Sequence, residues 1–569
     1  MRRSLFYLVN CWVVAGWLLC SCNLFTVQSP VYCNLDFEKG IEGSEIPYSW
    51  QYQDLGGYFI KWVANAEEGG KCLRIHSEKP DLKWFAENDS LAAGVFSLSL
   101  PGELVRGKRL EVSAMVKTKS VTQYARLVLS ILRDTLVQEV NDPASGLRAT
   151  KGWTRLTVEC AVDSTATEVY LSGMMSGRGT AWFDDFEIRI DGKRLRDADL
   201  PAEPTAEEIE WLRAHIHPLR TIDPGTDTED LQPLFDSLKG ASIVALGGVT
   251  SGSYENNRLR HRITQALVEQ EGFNLLTIEG GNSRAYRVNR YTPPVPMQVN
   301  YWDFQALTRW IEEFNGDSPR LLWSSFQGYP VNAAYVELLK ALEPYPKAKA
   351  ELDAFLLAFA GRMSKEELIR KHLLQIAAYV RQYITNAEER EWLVQNTVSL
   401  EQQMVKVWWR EDLADYNIDE VIRYMQHTPD QRMVLYSANP IIRKNGNSLG
   451  VLLDERLGEA YVSVAFAFNE GTYHAFTGTS YASGKQKLLK AYPGTYEYYF
   501  RQLNEPLFLI DLREVRKDIS PDSEWLRRPA RFRELGAIKT TTEFTRSLLS
   551  SEYDILIFID QPSVPGGRE

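Results

Sequence analysis

The sequence predicts a multidomain protein. An N-terminal all-β sandwich of jelly-roll type precedes an α/β domain with a largely parallel central sheet and a helical insertion. The chain has 569 residues, which is more than one hydrophobic core usually holds. Residues 30–195 contain short segments that alternate apolar and polar side chains, which is the pattern of half-buried strands. From residue 205 onward, strand-like and helical segments alternate along the chain.

The first 22 residues form a targeting segment. Arg2 and Arg3 give it a basic start, and an apolar stretch over residues 5–19 follows, which is too short to predict a membrane span. The segment ends in Leu-Cys-Ser-Cys, which resembles a bacterial lipoprotein signal and implies lipidation of Cys22. A plain secretory signal is the alternative. We therefore expect a chain that is lipid-anchored at the bacterial cell envelope, facing the periplasm or the surface, without spanning the membrane.

Six cysteines are present, and none follows Cys160. Removal of the signal and lipidation of Cys22 leave Cys33, Cys72 and Cys160. An oxidising compartment allows one disulfide among these three, and the sequence leaves the pairing open. Zinc is disfavoured because no Cys-x-x-Cys pair survives processing.

The β-rich region ends in two informative segments. "CNLDFEKG" begins at Cys33, and "TAWFDDFEIRIDG" begins at Thr180. Together they resemble the first and last strands of jelly-roll modules of the carbohydrate-binding or galactose-binding-like type. The resemblance implies a structural calcium ion near Asp184 or Asp185, and otherwise no cofactor is expected. Whether the module is a spacer or binds a ligand such as a glycan stays open.

Charge and composition restrict the class of partner. The net charge of −11 disfavours nucleic acid or an anionic surface as the main partner. The 15 tryptophans and 27 tyrosines suit either a sandwich core or a ligand-binding surface. A small molecule or a glycan is therefore the expected partner, and the oligomeric state stays open.

A linker separates the two predicted domains. "DADLPAEPTAEE" (Asp197–Glu208) is rich in proline, alanine and acid, and Thr205 opens a Thr-x-x-Glu capping box. The pattern predicts a helix over Ala206–His215 and an α/β domain over residues 205–569, with a helical insertion at about 347–425. Further helices are expected at Phe304–Phe314 and Ala333–Ala341. The predicted strands are "SIVALGG", "FNLLTIEGG", "MVLYSAN", "YVSVAFAFN", "PLFLIDLR" and "YDILIFID".

Three strand ends in this domain carry the pattern of a functional site. In open α/β sheets, ligands bind beyond the carboxyl ends of the strands, here "VALGGVTSGS", "LLTIEGG" and "MVLYSANPI". With their surroundings, these segments resemble the erythromycin esterase family over roughly Thr205–Asp560. The resemblance includes the segments "HPLRTIDP", "LRHRITQALVEQEGF", "RVNRY", "WIEEFN", "REDLADYN", "FNEGTYHAF" and "YDILIFID".

The resemblance implies hydrolysis of an ester, which in the namesakes of the family is a macrolide lactone. Such a reaction needs a base for water, acids that orient the base and donors for the developing oxyanion. The family supplies these groups from a Gly-Glu-x-Thr-His-Gly loop, a glutamate after the second strand and a Trp-Ala-His-Asn-x-His segment.

This sequence departs from the family at the positions that matter. Gly248 stands at the family glutamate, Ser251 at the general-base histidine, and Ala438 and Ile441 at two further histidines. Only Glu279 keeps a family acid. Loss of a general base alone costs about 10²–10⁴-fold in rate. The sequence therefore favours a domain that lacks hydrolase activity.

Residual chemistry and ligand binding are assigned as hypotheses. A role for Ser251 as a nucleophile is disfavoured, because its loop lacks the Gly-x-Ser-x-Gly spacing. Glu279 is either an acid or base for another substrate, or a relic carboxylate bonded to loop amides or an arginine. Arg410, Asn439 and His261 are predicted to bind the ligand, and Arg410 matches a family helix that faces the cleft. Arg410 could instead form ion pairs in the helical insert, and His261 could support the site wall.

The leading prediction is an exported, non-hydrolytic binding protein for a glycan or a macrolide-like small molecule. The alternative is a divergent ester hydrolase that uses Glu279 and Ser251. A third class is a resistance protein that sequesters an antibiotic without cleaving it.

Overall fold

A computed structural model shows a chain that divides into two compact units. It describes residues 26–28, 31–53, 57–65, 67, 69–78, 93–133, 136–140, 146–199, 201, 203–250, 252–279, 301–317, 320–326, 331–360, 366–404, 431–446, 448–477, 482–536 and 543–564. The first unit comprises Met1–Glu203 with Thr477–Ala482 and Lys539–Glu543. The second comprises Pro204–Phe476, Ser483–Ile538 and Phe544–Glu569. Across these described ranges, no helix is long and apolar enough to cross a membrane.

The first unit is an all-β region with a single short helix among its described elements. The bounds are β1 (Thr26–Gln28), β2 (Gln51–Gln53), β3 (Phe59–Ala64), β4 (Lys71–Ser77), β5 (Ala93–Pro101), α1 (Gly102–Val105), β6 (Arg109–Arg133), β7 (Leu136–Val140), β8 (Leu147–Ala161), β9 (Glu168–Ser176), β10 (Gly179–Ile190) and β11 (Lys193–Arg196).

The long strand β6 organises this sheet into a nearly closed, barrel-like layer. Its first half pairs antiparallel with β10 and β8, and its second half pairs antiparallel with β9 and β7. Side chains alternate along it, so that Leu110, Val112 and Val116 are buried. Phe37, Trp50 and further aromatic rings pack edge to face in the interior. The predicted all-β N-terminal region is confirmed.

The cysteines of this unit form no disulfide. Cys33 and Cys72 are buried, Cys160 is half-buried, and no pair among the three is bonded. The disulfide that an oxidising compartment would allow among them is therefore not formed in this structure. Burial raises the pKa of the Cys72 thiol to about 12, so the group behaves as a small apolar side chain.

The second unit alternates strands and helices, with the strands gathered into one main sheet and two small ones. The strands are β12 (Ile216–Pro218), β13 (Ile243–Leu246), β14 (Leu275–Glu279), β15 (Leu322–Phe326), β16 (Met433–Tyr436), β17 (Tyr461–Phe468), β18 (Thr472–Thr477), β19 (Ala482–Lys487), β20 (Leu507–Asp511), β21 (Ala530–Arg533), β22 (Phe544–Ser547) and β23 (Ile555–Ile559). The helices are α2 (Ala206–His215), α3 (Gln232–Ser237), α4 (Tyr254–Gln270), α5 (Tyr301–Asn315), α6 (Val331–Leu342), α7 (Pro346–Ala360), α8 (Glu366–Tyr383), α9 (Ala387–Met404), α10 (Asn439–Ile442), α11 (Leu449–Leu457), α12 (Tyr496–Arg501), α13 (Leu512–Lys517) and α14 (Leu549–Glu552).

The main sheet has eight strands in the order β12-β20-β23-β17-β13-β16-β14-β15. The pairs from β23 to β15 are parallel, and β20 runs antiparallel to both of its neighbours. All four residues of β13 and of β16 are buried, because helices cover both faces of the sheet. The predicted α/β domain with a largely parallel sheet is confirmed.

The bounds of several helices agree closely with those predicted from local sequence signals. Thr205 caps α2 with both halves of a capping box, and the helix runs over Ala206–His215 as predicted. Helices α5 and α6 extend the two predicted segments by a few residues at their ends. Helices α7 to α9 lie in the predicted insertion and share with α6 a core of their own around Leu338, Phe355 and Ile376.

Candidate functional site

The candidate site lies where the connections of the main sheet change direction. The chain leaves β13 through α4 toward β14, and it leaves β16 through α10 and α11 toward β17, which lies on the other side of β13. α4 packs in one core cluster and α11 in the cluster on the opposite face. The carboxyl ends of β13 and β16 therefore flank a topological switch point, which is where open α/β sheets bind ligands.

Backbone hydrogen bonds help to hold the loop after β13. Gly247 N–H donates to the carbonyl of Val464 at 2.8 Å, and Leu535 N–H donates to Val249 at 3.1 Å. A Cβ at Gly252 would collide with the backbone of His474. The close approach of two backbones explains why glycine ends this loop.

The guanidinium of Arg260 fills the space beside Gly248. It donates to the carbonyls of Gly247 (Nε, 2.6 Å) and Leu246 (Nη2, 2.9 Å), and also to the carbonyl of Ser437. A Cβ at Gly248 would lie 2.6 Å from Nη2 of Arg260. The position predicted to have lost a catalytic glutamate is thus occupied by a cation that ties the two strand ends together.

Burial controls the charge of this arginine. Desolvation lowers the pKa of Arg260 to about 10, against a raising effect of Tyr436 and Glu279, so the side chain remains a cation at neutral pH. Its guanidinium also lies 5.2 Å from the centre of the Tyr436 ring. The Tyr436 hydroxyl is in turn 2.6 Å from the hydroxyl of Thr264.

Glu279 ends β14 and reaches the loop after β16. Its Oε2 accepts a hydrogen bond from the Ser437 hydroxyl and another from the Ala438 N–H at 3.1 Å. Glu279, the predicted family acid, is therefore held by the segment in which Ala438 is predicted to replace a family histidine. The structure brings together Glu279, Ala438 and Gly248, the last through Arg260, while the catalytic assignments themselves stay predictions.

The side chain of Asn439 forms hydrogen bonds with the backbone of β17. It is fully buried, its Nδ2 donates to Phe466 O at 2.8 Å, and its Oδ1 accepts Phe466 N–H at 3.1 Å. Both ends of the amide are engaged, which favours a structural role over the predicted contact with a ligand. The same side chain explains Gly247, since a Cβ there would collide with Oδ1 of Asn439.

His261 lies on the side of α4 that faces α5. Its ring is 5% exposed and 5.6 Å from the ring of Trp310. Neither ring nitrogen has a hydrogen-bond partner among the residues that the structure describes. Burial, followed by the charge of Arg258, lowers the pKa of His261 to about 4, so the imidazole is neutral at physiological pH.

The neighbouring Arg262 anchors the helix. It pairs with Asp230 at 2.6 Å, donates to the Thr221 carbonyl at 2.9 Å and donates from Nε to Thr226 at 3.1 Å. Both partners of the ion pair are almost fully buried. This network fixes the segment before β13 against α4.

Three predicted positions lie outside the described residues: Ser251, Arg410 and Cys22. Their assignments stay predictions. Ile441, which is predicted to stand at the second family histidine, lies half-buried in α10 against the core cluster that contains Ile442.

A sequence profile of the erythromycin esterase family matches residues 268–562, more than half of the chain. The chain belongs to the erythromycin esterase family. The match begins after the Gly247–Gly252 loop, within the last turn of α4.

Known relatives of this erythromycin esterase family member share its second unit. A Bacillus subtilis (strain 168) protein named as a hydrolase, YbfO, is 21% identical over 422 residues, which cover 62% of this chain and 91% of that protein. A crystal structure of a Bacillus cereus protein superposes with a TM-score of 0.55 and 22% identity over 64% of this chain and 99% of that chain. A succinoglycan biosynthesis protein superposes with a TM-score of 0.53 and 17% identity over the same shares, 64% and 99%. These two structures show the shared fold.

The calcium ion expected in the first unit finds few ligands. Asp184 is buried, its Oδ2 accepts from Asn65 at 2.9 Å and its Oδ1 accepts from the backbone of Asp185 at 2.8 Å. Within the described ranges, no three histidine, cysteine or carboxylate side chains form a group that could hold a metal ion. These residues do not fit a calcium site, because the one buried carboxylate is already satisfied by N–H donors.

Two site residues escaped the sequence analysis. Arg260 and Ser437 connect the strand ends, yet neither stands at a family catalytic position. Arg260 is one residue after Leu259 and three before Ile263, both fully buried. A charged residue beside the apolar stripe of a helix is the signal that could have identified it.

Proposed function

We propose that the erythromycin-esterase-like unit binds a glycan or a macrolide-like small molecule without hydrolysing it. The observation that carries the proposal is the position of Arg260, which occupies the space beside Gly248. A cation that donates hydrogen bonds to three carbonyl oxygens cannot accept a proton from water. With alanine at position 438, the described side chains around Glu279 supply no histidine as a general base.

The proposal also rests on how Glu279 is held. Hydrogen bonds from the Ser437 hydroxyl and the Ala438 N–H fix its carboxyl group in place. A fixed carboxylate beside a buried guanidinium is suited to orienting a polar ligand. A sequestering role toward an antibiotic follows from the same chemistry if the ligand is a macrolide.

A hydrolase that uses Glu279 and Ser251 is the second candidate. Two observations support it: Glu279, which the resemblance implies is the family acid, stands at the end of β14, and the relative YbfO is named as a hydrolase. In that case Glu279 would take the proton of water or of a serine hydroxyl. The N–H of Ala438 would then no longer bond Glu279 and would serve as a donor to the developing oxyanion.

The proposed location is the bacterial cell envelope, through a lipid on Cys22. Its support is the basic start, the apolar stretch and the Leu-Cys-Ser-Cys end of the first 22 residues. Expression with radiolabelled palmitate tests it: label and membrane association should disappear in Cys22→Ser. Retention of both in that variant would contradict lipidation at this residue.

Calorimetric titration with erythromycin, followed by mass spectrometry of the recovered macrolide, separates the two functions. Binding without chemistry predicts a saturable heat and an intact lactone. Recovery of a ring-opened product would support the hydrolase. Absence of saturable binding to erythromycin and to a panel of soluble oligosaccharides would contradict the binding function.

A further inference from the structure

The outward face of the first unit carries a row of cations across four adjacent strands. Lys61 on β3 stands directly opposite Arg74 on β4, Arg74 stands opposite Trp182 on β10, and Trp182 stands opposite Lys117 on β6. Directly opposed residues in a sheet lie on the same face. The residue next to Arg74 in the strand, Ile75, is fully buried, so the row faces away from the core.

A second row lies two residues along the strands, about 7 Å away. It consists of Phe59, His76, Thr180 and Lys119, which are paired in that order across the same four strands. Phe59 is 60% exposed. The two rows hold four cations, two aromatic side chains and no carboxylate. We call these eight residues the basic face.

Most of the cations on the basic face lack an anionic partner. Lys117 pairs with Glu67, but Lys61, Arg74 and Lys119 form no ion pair with any residue in the described ranges. The Nε of Arg74 is buried and has no hydrogen-bond partner there. At the other end of β10, by contrast, Arg189 pairs with Glu187 at 2.7 Å. Three of the four cations on the basic face are therefore unpaired within the described ranges.

Among the described residues, no ion pair offsets the electrostatic cost of placing Lys61, Arg74 and Lys119 close together. Like charges directly opposite each other in a sheet are destabilising, as at Lys61 and Arg74. The whole chain carries a net charge of −11, so a local excess of cations is not a consequence of composition. Three cations with no ion-pair partner among the described residues are available to an anionic ligand.

We propose that the basic face binds an anionic polysaccharide, whose carboxylate or sulfate groups pair with Lys61, Arg74 and Lys119. Rows about 7 Å apart present cations at intervals along an extended polymer. The exposed ring of Phe59 offers a flat apolar surface on which a sugar ring packs.

A polysaccharide fits this face better than single-stranded nucleic acid does. Proteins that bind single strands stack successive bases on several aromatic faces. Here the Lys117 ammonium lies 5.3 Å from the centre of the Trp182 ring, which leaves Phe59 as the exposed ring of the two aromatic side chains. One free ring and several unpaired cations suit a charged sugar polymer.

This inference concerns the first unit and does not depend on the function proposed for the second. Glu279→Gln should leave it unchanged. The outcome at the basic face therefore neither supports nor contradicts the function proposed for the second unit.

Affinity electrophoresis of the full chain without its signal segment tests the inference. Polygalacturonate in the gel should retard the protein, and neutral dextran should not. The logarithm of the binding constant should fall linearly with the logarithm of the salt concentration. The variant Lys61→Gln/Arg74→Gln/Lys119→Gln should weaken binding about tenfold or more, whereas Phe59→Ser should weaken it without changing the salt slope.

The matched control removes three cations from β11 of the same unit: Lys193→Gln/Arg194→Gln/Arg196→Gln. This control should bind polygalacturonate like the unmodified chain, and circular dichroism shows whether both triple variants are folded. No retardation of the unmodified chain would overturn the inference. So would equal loss in the two triple variants, or binding to poly(dT) that equals or exceeds binding to polygalacturonate.

Discussion

Nη2 of Arg260 lies 2.6 Å from the place that a Cβ of Gly248 would occupy. The two residues come from the helix and the loop that follow β13, and the arginine also reaches the strand end of β16 through Ser437. This pair defines the site, because the absent side chain and the inserted guanidinium occupy the same space.

The first prediction concerns that space. Gly248→Ala should destabilise the second unit by about 1–3 kcal/mol, because the new methyl group must displace a buried guanidinium that donates three hydrogen bonds. The measurement is the midpoint of urea unfolding, followed by a probe in the second unit. Gly484→Ala is the control, since a Cβ there meets only Gln486, at 3.7 Å. Equal midpoints for the two variants would show that Arg260 moves freely.

The second prediction compares two arginines on α4. Arg262→Met should lower the free energy of unfolding by about 3–5 kcal/mol, because it removes the buried guanidinium that pairs with Asp230 and leaves only the half-exposed Arg220 beside that carboxylate, at 4.0 Å. Arg258→Met removes an ion pair of 2.8 Å to the exposed Asp223 and should cost about 0–1 kcal/mol. Thermal and urea unfolding measure both. A cost for Arg258→Met that matches that of Arg262→Met would contradict the assignment of Arg262 as the buried anchor.

The third prediction concerns pH. Glu497 is fully buried, and its Oε1 accepts the N–H of Arg533 at 2.8 Å. Burial raises the pKa of Glu497 to about 7, against the lowering effect of the Arg533 charge. A glutamate in the unfolded chain has a pKa of about 4.3. The protonated form is thus favoured by folding, and its stabilising contribution is present at acidic pH and lost as pH rises through about 7.

Glu497→Gln should remove this dependence, because the amide keeps the acceptor oxygen and does not ionise. Relative to this variant, the wild-type chain should lose about 2 kcal/mol of stability between pH 5 and pH 8. Unfolding temperatures of both proteins across that range provide the comparison. A difference that is constant with pH would show that Glu497 does not titrate there.

Much of the fold could be predicted because its signals are local. The capping box at Thr205 and the four-residue buried run that ends at Tyr436 each lie within a few residues of sequence. The parallel sheet followed from the alternation of such segments. Short spans of this kind carry period and capping information that does not depend on the rest of the chain.

The site was less predictable because its contacts are distant in sequence. Ser437 meets both Glu279 and Arg260, and no local pattern reports such a meeting. Family resemblance directed attention to Glu279 and Gly248, whose roles stay predictions. Asn439 was predicted to bind the ligand, although both ends of its amide bond the backbone of Phe466. A buried polar side chain can serve the backbone or a ligand, and only its coordinates distinguish the two.

The rate of ester hydrolysis by the wild-type chain and by Glu279→Gln tests the central claim most directly. Purified proteins are compared on p-nitrophenyl acetate and erythromycin at neutral pH. If the site does not hydrolyse esters, both proteins should show the same rate, at the background level. A rate for the wild-type chain that falls by about 10²-fold or more in Glu279→Gln would be that of a working general base, and it would contradict the claim.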